Sequence, residues 1–248
     1  MLKIFAGVLA ALVIAAGGYF GVEFYLQQRM ASDIEAAFAN VRASGAKASH
    51  GKIAFDVWNR TITVADIAGE FTAQPPVSVK IGRIVASGVS QQDAGRFAAG
   101  RIDAADVEVA GTFGQQAGLQ FTYRVPLIEI ADYAGPGGPL RPLDGTAAAA
   151  IYRFALDHFA MVSAKSVVAP AVTVKFSSTG SPAPAGTGAY SYSGVALRDI
   201  KDGKIAATTI EKMVLAANMG VAGKLEKITG EIAGFTTSAS SRKRPLSL

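Results

Sequence analysis

The chain has no cysteine in 248 residues and only two histidines, His50 and His158. The missing thiols exclude disulfides, thiolate zinc sites, iron–sulfur clusters, cysteine nucleophiles and a lipoprotein lipobox. Two histidines far apart in the chain leave little for metal binding or imidazole catalysis. Charge is sparse at 17%, and aromatics make up 8%. The net charge of +5 owes three units to Arg242, Lys243 and Arg244, which leaves +2 for the rest. Lys and Arg are otherwise scattered singly, with no basic stripe interleaved with aromatics, so no nucleic-acid face is expected. Half the residues are apolar. That content opposes disorder, and the length suits one large or two small domains.

What is present begins with a long apolar run. Ile4 to Val22 carries no charge. As a helix it spans roughly 28 Å, close to the ~30 Å of a bilayer core. Lys3 precedes it, and Tyr19, Phe20, Phe24 and Tyr25 crowd its far end, as at an aromatic belt. An uncleaved transmembrane anchor over 1–22 is the expectation. A cleaved signal peptide, with Ala15-Ala16-Gly17 as its site, and a buried soluble helix are the rivals. Either export reading sends the rest of the chain across the membrane.

Residues 23–45 read as a stalk helix that docks on the following domain. From Met30 its apolar positions Ile34, Ala37, Phe38 and Val41 recur at steps of three and four, and Ser44-Gly45 stops it. The period then becomes two, which defines a β-rich first half over 46–142. Ile53, Phe55 and Val57 turn at Asn59-Arg60 into Ile62 and Val64, a hairpin with Trp58 packed at its corner. Val77, Val79 and Ile81 follow, then Val107 and Val109, then Leu119 to Leu127. Pro126 marks the last of these as an edge or a strand end. One apolar and one polar face fit antiparallel sheet. Gly135 to Pro142 reads as a loop. An amphipathic helix is expected over 143–165, with Ile151, Phe154, Ala155, His158, Phe159 and Val162 on one stripe. Ser163 to Pro170 closes it. A β-rich second half over 166–236 contains Val172, Val174 and Phe176, a loop from Ser177 to Gly188, and Tyr190 with Tyr192. Residues 237–248 read as a disordered tail. The fold class expected is α+β, mainly antiparallel β: a transmembrane helix, then curved antiparallel sheet with one packed amphipathic helix.

A short motif recurs. Gly-(Lys/Arg)-(Ile/Leu) occurs at 51–53, 82–84, 100–102, 203–205 and 223–225. The segments 100–113 and 203–216 also share a β-branched residue at the eighth position and Glu at the ninth. Glycine suits a turn, and the cation keeps a strand's outer face wet.

Motifs that carry chemistry are weak. Ser44-x-x-Lys47 has the serine–lysine spacing of acyl enzymes without its companion motifs. Asp103 with Asp106, and Asp199 with Asp202, read as solvated turn acids, because i and i+3 do not converge on a strand. His158 reads as a packed core histidine and His50 as surface. Asn59-Arg60-Thr61 is a sequon that a hairpin corner explains. Gly135 to Gly138 lacks the strand–helix context and lysine of a phosphate loop. No catalytic residue, cofactor site or metal site is assigned, and the chain is expected not to be an enzyme.

The anchor, the segment GKIAFDVWNRTITVADI (51–67) and RDIKDGKIAATTIEKM (198–213) together resemble the AsmA-like β-groove envelope proteins of Gram-negative bacteria, and an alphaproteobacterial membrane-anchored group among them. Members of that family are usually much longer. The resemblance implies an inner-membrane-anchored periplasmic β-sheet protein of envelope or lipid homeostasis, with lipid or an envelope protein as partner. It carries over no catalytic residue. A protein–protein interaction module is the alternative, and a carboxylate-based hydrolase the remote one. An open apolar trough favours lipid, whereas a filled core with one exposed edge favours protein docking.

Overall fold

The computed structural model describes residues 26–43, 45–56, 58–71, 76–92, 96–113, 118–136, 156–157, 159–178, 185–221 and 224–238. Helix α1 (Leu26–Ala43) comes first. It is followed by β1 (Lys47–Ser49), β2 (Ile53–Asp56), β3 (Thr61–Phe71), β4 (Val77–Ser87), β5 (Ser90–Gln92) and β6 (Arg96–Phe113). Then come β7 (Leu119–Pro136), β8 (Ala164–Ser178), β9 (Gly186–Lys201), β10 (Lys204–Val221) and β11 (Lys224–Ser238). All eleven strands lie in one antiparallel sheet of order β1-β3-β4-β6-β7-β8-β9-β10-β11, with β2 on β3 and β5 on β6. No helix among the described residues is long and apolar enough to cross a membrane. The expected anchor Ile4–Val22 lies outside the described residues, as do most of the 143–165 helix and the tail from 239.

The longest strands, β6 among them, change the face they bury at two points without losing register. On β6 the buried residues are Phe97, Ala99, Ile102, Ala104, Val107 and Val109. The spacing is two, three, two, three, two. A simple strand would keep every second residue on one face. The extra step falls at Gly100-Arg101 and at Ala105-Asp106. β9 does the same, with Val195, Leu197 and Ile200 in or against the core. The skipped positions hold unusual backbone. Asp66, Asp106, Asp132 and Asp199 have φ of 50–56°, and Gly88, Gly194 and Gly234 are also left-handed, at 64°, 59° and 70°. Aspartate tolerates this left-handed region better than most side chains do, because its short carboxylate bonds locally.

These positions align across the sheet. Ala65 pairs with Arg83 and Ile67 with Ile81, so Asp66 lies opposite Gly82. By the same register Gly82 lies opposite Asp106, and Gly100 opposite Asp132. At 51–53, 82–84 and 100–102 the recurring Gly-(Lys/Arg)-Ile is therefore the strand that faces an Ala-Asp corner. A Cβ on Gly51 would come 2.9 Å from Asp66 Oδ2, and one on Gly82 3.0 Å from Asp106 Cβ. Glycine leaves room for the aspartate, the cation points outward, and the isoleucine points in. At the first line of corners the β7–β8 ladder is interrupted between Arg124↔Thr173 and Glu129↔Val168. That gap holds Pro126 and Pro170, which have no N–H to contribute to a ladder.

We expect Asp106→Val to destabilise the fold by roughly 1–2 kcal/mol, since a β-branched residue strongly resists positive φ. Asp106→Gly should cost much less. Denaturant unfolding that gave equal losses for the two would contradict the corner assignment.

Inner-face residues of β3 to β8 are almost fully buried, among them Val64, Val79, Ile81, Ile102, Val107, Val125 and Ile128. Among the described residues the one long helix, α1, touches only the β1 end, through Ile34, Ala37 and Phe38. The inner face of the middle strands is therefore closed to solvent.

Several expectations need correction. Pro126 is not at an edge or strand end but sits in the middle of β7, between β6 and β8. Gly135 and Pro136 belong to β7, paired with Phe97 and Arg96, rather than to a loop. The helix expected to 165 has ended by Ala160. Val162 and Ser163 lead into β8, and Pro170 lies within that strand, because the corner there needs no N–H. β8 runs on to Ser178, and β9 starts at Gly186, inside the expected 177–188 loop. Trp58 does not pack at the hairpin but is 95% exposed.

Candidate functional site

The first place to look for chemistry is where the sequence placed its few reactive groups. Among the described residues no three His, Asp or Glu side chains gather as a metal site would need. Asp106 and Asp199 are mid-strand corners, not turn acids, and only Asp202 stands at a hairpin turn, beside Gly203. Asp103 accepts 2.8 and 2.9 Å hydrogen bonds from Arg101 Nε, and Arg101 also reaches Glu129. Asp103, followed by Glu129, raises the Arg101 pKa further above its ordinary value. These are exposed outer-face ladders of the usual cross-strand kind. Lys47 pairs with Glu70 at 2.9 Å, and Ser44 lies outside the described residues. Asn59 donates to Asp56 from both its backbone and its side chain, which holds the Asp56 carboxyl below its usual range. That contact closes the hairpin corner. Gly137, Gly138, Phe154 and His158 lie outside the described residues.

His50 is not a surface residue. Its side chain is only 14% exposed, and its ring meets Phe38 of α1 edge-on at 4.6 Å. One ring nitrogen is 2.8 Å from the Gly51 carbonyl, and the other is 2.8 Å from the Glu35 carboxylate. Arg42 donates to the same carboxylate and, at 3.1 Å, to the Ala48 carbonyl. This cluster fastens α1 to the β1 end. The hydrogen bonds from Arg42 and then His50 hold the exposed Glu35 carboxyl below its ordinary range. Glu35 thus titrates lower folded than unfolded. Its contribution to docking is complete above the ordinary glutamate range and is lost as pH falls through the lowered value. Limited proteolysis between α1 and β1 should accelerate over that acid range, and Glu35→Gln should abolish the pH dependence. An unchanged profile in Glu35→Gln would contradict the assignment.

The other end of the sheet is different. Among the described residues β11 bonds only to β10, and no strand follows it in the sheet order. Register carries the inner face outward from the core. Val195 of β9 lies beside Ile210 of β10, and Tyr192 beside Met213. Ile210 in turn lies beside Phe235 of β11, Met213 beside Ile232, and Ala217 beside Ile228. Those three β11 residues are 43–53% exposed, whereas their counterparts on β4 and β6 are buried. One rim of this end is aromatic. Phe176 lies 5.5 Å from Tyr190, which stacks on Tyr192 at 6.4 Å. Burial, followed by the proximity of Tyr190, pushes the Tyr192 hydroxyl pKa up. Ile228 and Ile232 continue the same face. The trough is capped by α1 at one end and open at the other.

None of this open end was assigned from the sequence. Its signal was present in 228–235, where apolar residues fall at Ile228, Ile232 and Phe235 around Gly230 and Gly234. That spacing fits neither a plain strand nor a helix until the corner at Gly234 is included. No protein family matches the chain, and no curated protein or solved structure does.

Proposed function

We propose that this is a non-enzymatic, inner-membrane-anchored periplasmic protein that acts in the cell envelope by docking, with the open β11 end as its working surface. The observation that carries the reading is the contrast between the two ends of one sheet. Among the described residues the inner face over β3 to β8 is buried, which speaks against an open conduit there. A free edge with half-exposed isoleucines and phenylalanine on its inner face is what strand-adding partners use. The apolar run Ile4–Val22 supports anchoring, and α1 would then bring the capped end nearest the membrane. Nine strands spaced ~4.8 Å apart would carry β11 roughly 40 Å from that cap.

A second reading, lipid handling in envelope homeostasis, is favoured by one feature: the Tyr190–Tyr192 strip continuing into Ile228 and Ile232. It would be confined to the open end.

The test is Ile232→Lys in the full chain. An inward lysine on an edge strand opposes docking, and the position is exposed enough for the fold to accept it. The variant should accumulate to normal levels yet fail to complement the envelope phenotype of a deletion strain. Full complementation would overturn the docking reading. Lipid co-purifying with the wild-type chain in stoichiometric amount, and lost in the variant, would select the second reading.

A further inference from the structure

The docking reading leaves the occupant of the β11 edge open, and the geometry of that strand points to one. We propose that the edge is filled by β11 of a second copy of this chain, paired antiparallel about a two-fold axis; the inference rests on the docking reading above.

The chemistry of the edge comes first. An edge strand presents unpaired amides and carbonyls. Beside them, on the inner face, stand Ile228, Ile232 and Phe235. A lipid tail satisfies the side chains but not the amides. A docked helix does the same. Only an extended strand meets both needs. The far edge of this sheet is made of two short strands, β1 and β2, with α1 against β1, and so offers no long strand for a head-to-tail pairing.

The corners then restrict which strand fits. Each internal ladder places inward residues opposite inward residues and corner opposite corner. Between β9 and β10, Tyr192 faces Met213 on one side of the corner and Val195 faces Ile210 on the other. An incoming strand must carry a corner at the same level as Gly234, whose φ is +70°. β11 meets that condition against itself. Sliding two copies antiparallel until Ala233 faces Gly234 of the second copy brings the corners together. Ile232 then faces Phe235 of the second copy, and Gly230 faces Thr237. On the outer face Glu231 meets Thr236, and Thr229 meets Ser238. No like charges are opposed along Thr229–Ser238. Among the described residues nothing lies within 4 Å of a Cβ placed on Gly230 or Gly234, so the faces of β11 are open at these two positions. A two-fold arrangement of one self-complementary patch also closes, leaving no further edge to propagate.

The natural absence of cysteine makes this directly testable. The full chain carrying Glu231→Cys and Thr236→Cys together should form a covalent dimer on mild oxidation in the membrane or in detergent. Directly opposed residues on antiparallel strands lie about 4.5–5.5 Å apart, within disulfide reach. Loss of the exposed Lys212–Glu231 pair, 3.0 Å long, should cost little. Neither single variant should cross-link, because its two copies would sit five residues apart along the ladder, roughly 17 Å. The unmodified full chain should run as a dimer in size-exclusion light scattering, and Ile232→Lys as a monomer. A monomeric full chain with no cross-link overturns the proposal. So does cross-linking of a Thr229→Cys/Glu231→Cys pair in place of the predicted one, since that register puts the corners out of line. The docking reading fails on different grounds, through full complementation by Ile232→Lys.

Discussion

Phe97→Ala should remove roughly 3–5 kcal/mol of folding stability, the range for truncating a fully enclosed aromatic residue. Phe97 is completely buried and lies 5.9 Å, centroid to centroid, from Tyr133, itself 3% exposed. It stands on the first leg of β6 and faces Gly135 of β7 across the ladder. Two things make the site intolerant. The ring packs on Tyr133 out of contact with solvent, so truncating it leaves a cavity. The backbone on both sides is held by corners at Gly100 and Asp132, which limits collapse of the cavity. Urea unfolding of the full chain in detergent should show a lowered midpoint at an unchanged slope. A loss below about 1 kcal/mol would mean that the ring is not enclosed. Phe235→Ala, at the half-exposed open end, should cost far less in a monomeric background.

Gly203→Val should be nearly as damaging, about 2–4 kcal/mol, for an independent reason. Asp202 and Gly203 form the two-residue turn between β9 and β10, with φ of 49° and 71°, and Lys201 pairs with Lys204 around it. Two successive positive φ values give the tight hairpin whose twist matches the flanking strands. A Cβ on Gly203 would also lie 2.7 Å from the Ala160 Cα and 2.9 Å from the Phe159 carbonyl oxygen. Those are backbone atoms and cannot swing aside. The Gly203 amide donates at 3.3 Å to the Val162 carbonyl, so the same turn braces the entry to β8. Gly230→Ala is the matched control. Nothing lies within 4 Å of its Cβ, and removing glycine restricts the unfolded chain, so its effect should be neutral or slightly stabilising. Equal losses at the two positions would contradict the account of the turn.

These two positions also show what was legible in the sequence. The Asp202-Gly203 dipeptide lies within a motif that recurs visibly, and the segment from Leu119 to Val125 alternates as an antiparallel strand does. Mainly antiparallel sheet was therefore readable. Strand length was not. Val107 and Val109 read as a short strand, although β6 runs from Arg96 to Phe113. The reason is physical: each corner shifts the inward set by one residue, so a period of two fails every five residues. The same shift hid β11, where Gly230 and Gly234 interrupt the apolar positions. Ala-Asp before an apolar residue, at 65–67, 105–107 and 131–133, was the overlooked signal. An aspartate in a strand invites a turn assignment, and only the facing glycine reveals a corner. The two prolines misled in the same way, because rules for a continuous ladder do not hold where the ladder is interrupted. His50 was misplaced because its partners Glu35 and Phe38 come from α1, a contact that sequence spacing does not reveal.

The central claim is that the inner face of one continuous sheet is closed to solvent at β4 to β8 and open at β11. Thiol labelling tests it most directly, because the natural chain offers no competing cysteine. Single cysteines would be placed on the inner face at Ala99, Ala104 and Ala164, all buried, and at Ile228, which is 43% exposed. The background is Ile232→Lys, so that self-association does not mask the open end. With a small polar maleimide under native conditions, Ile228→Cys should label within minutes. The three buried positions should label only on unfolding. Fast labelling at Ala104→Cys in the native protein, matching that at Ile228→Cys, would show an open groove along the whole sheet and would contradict the account.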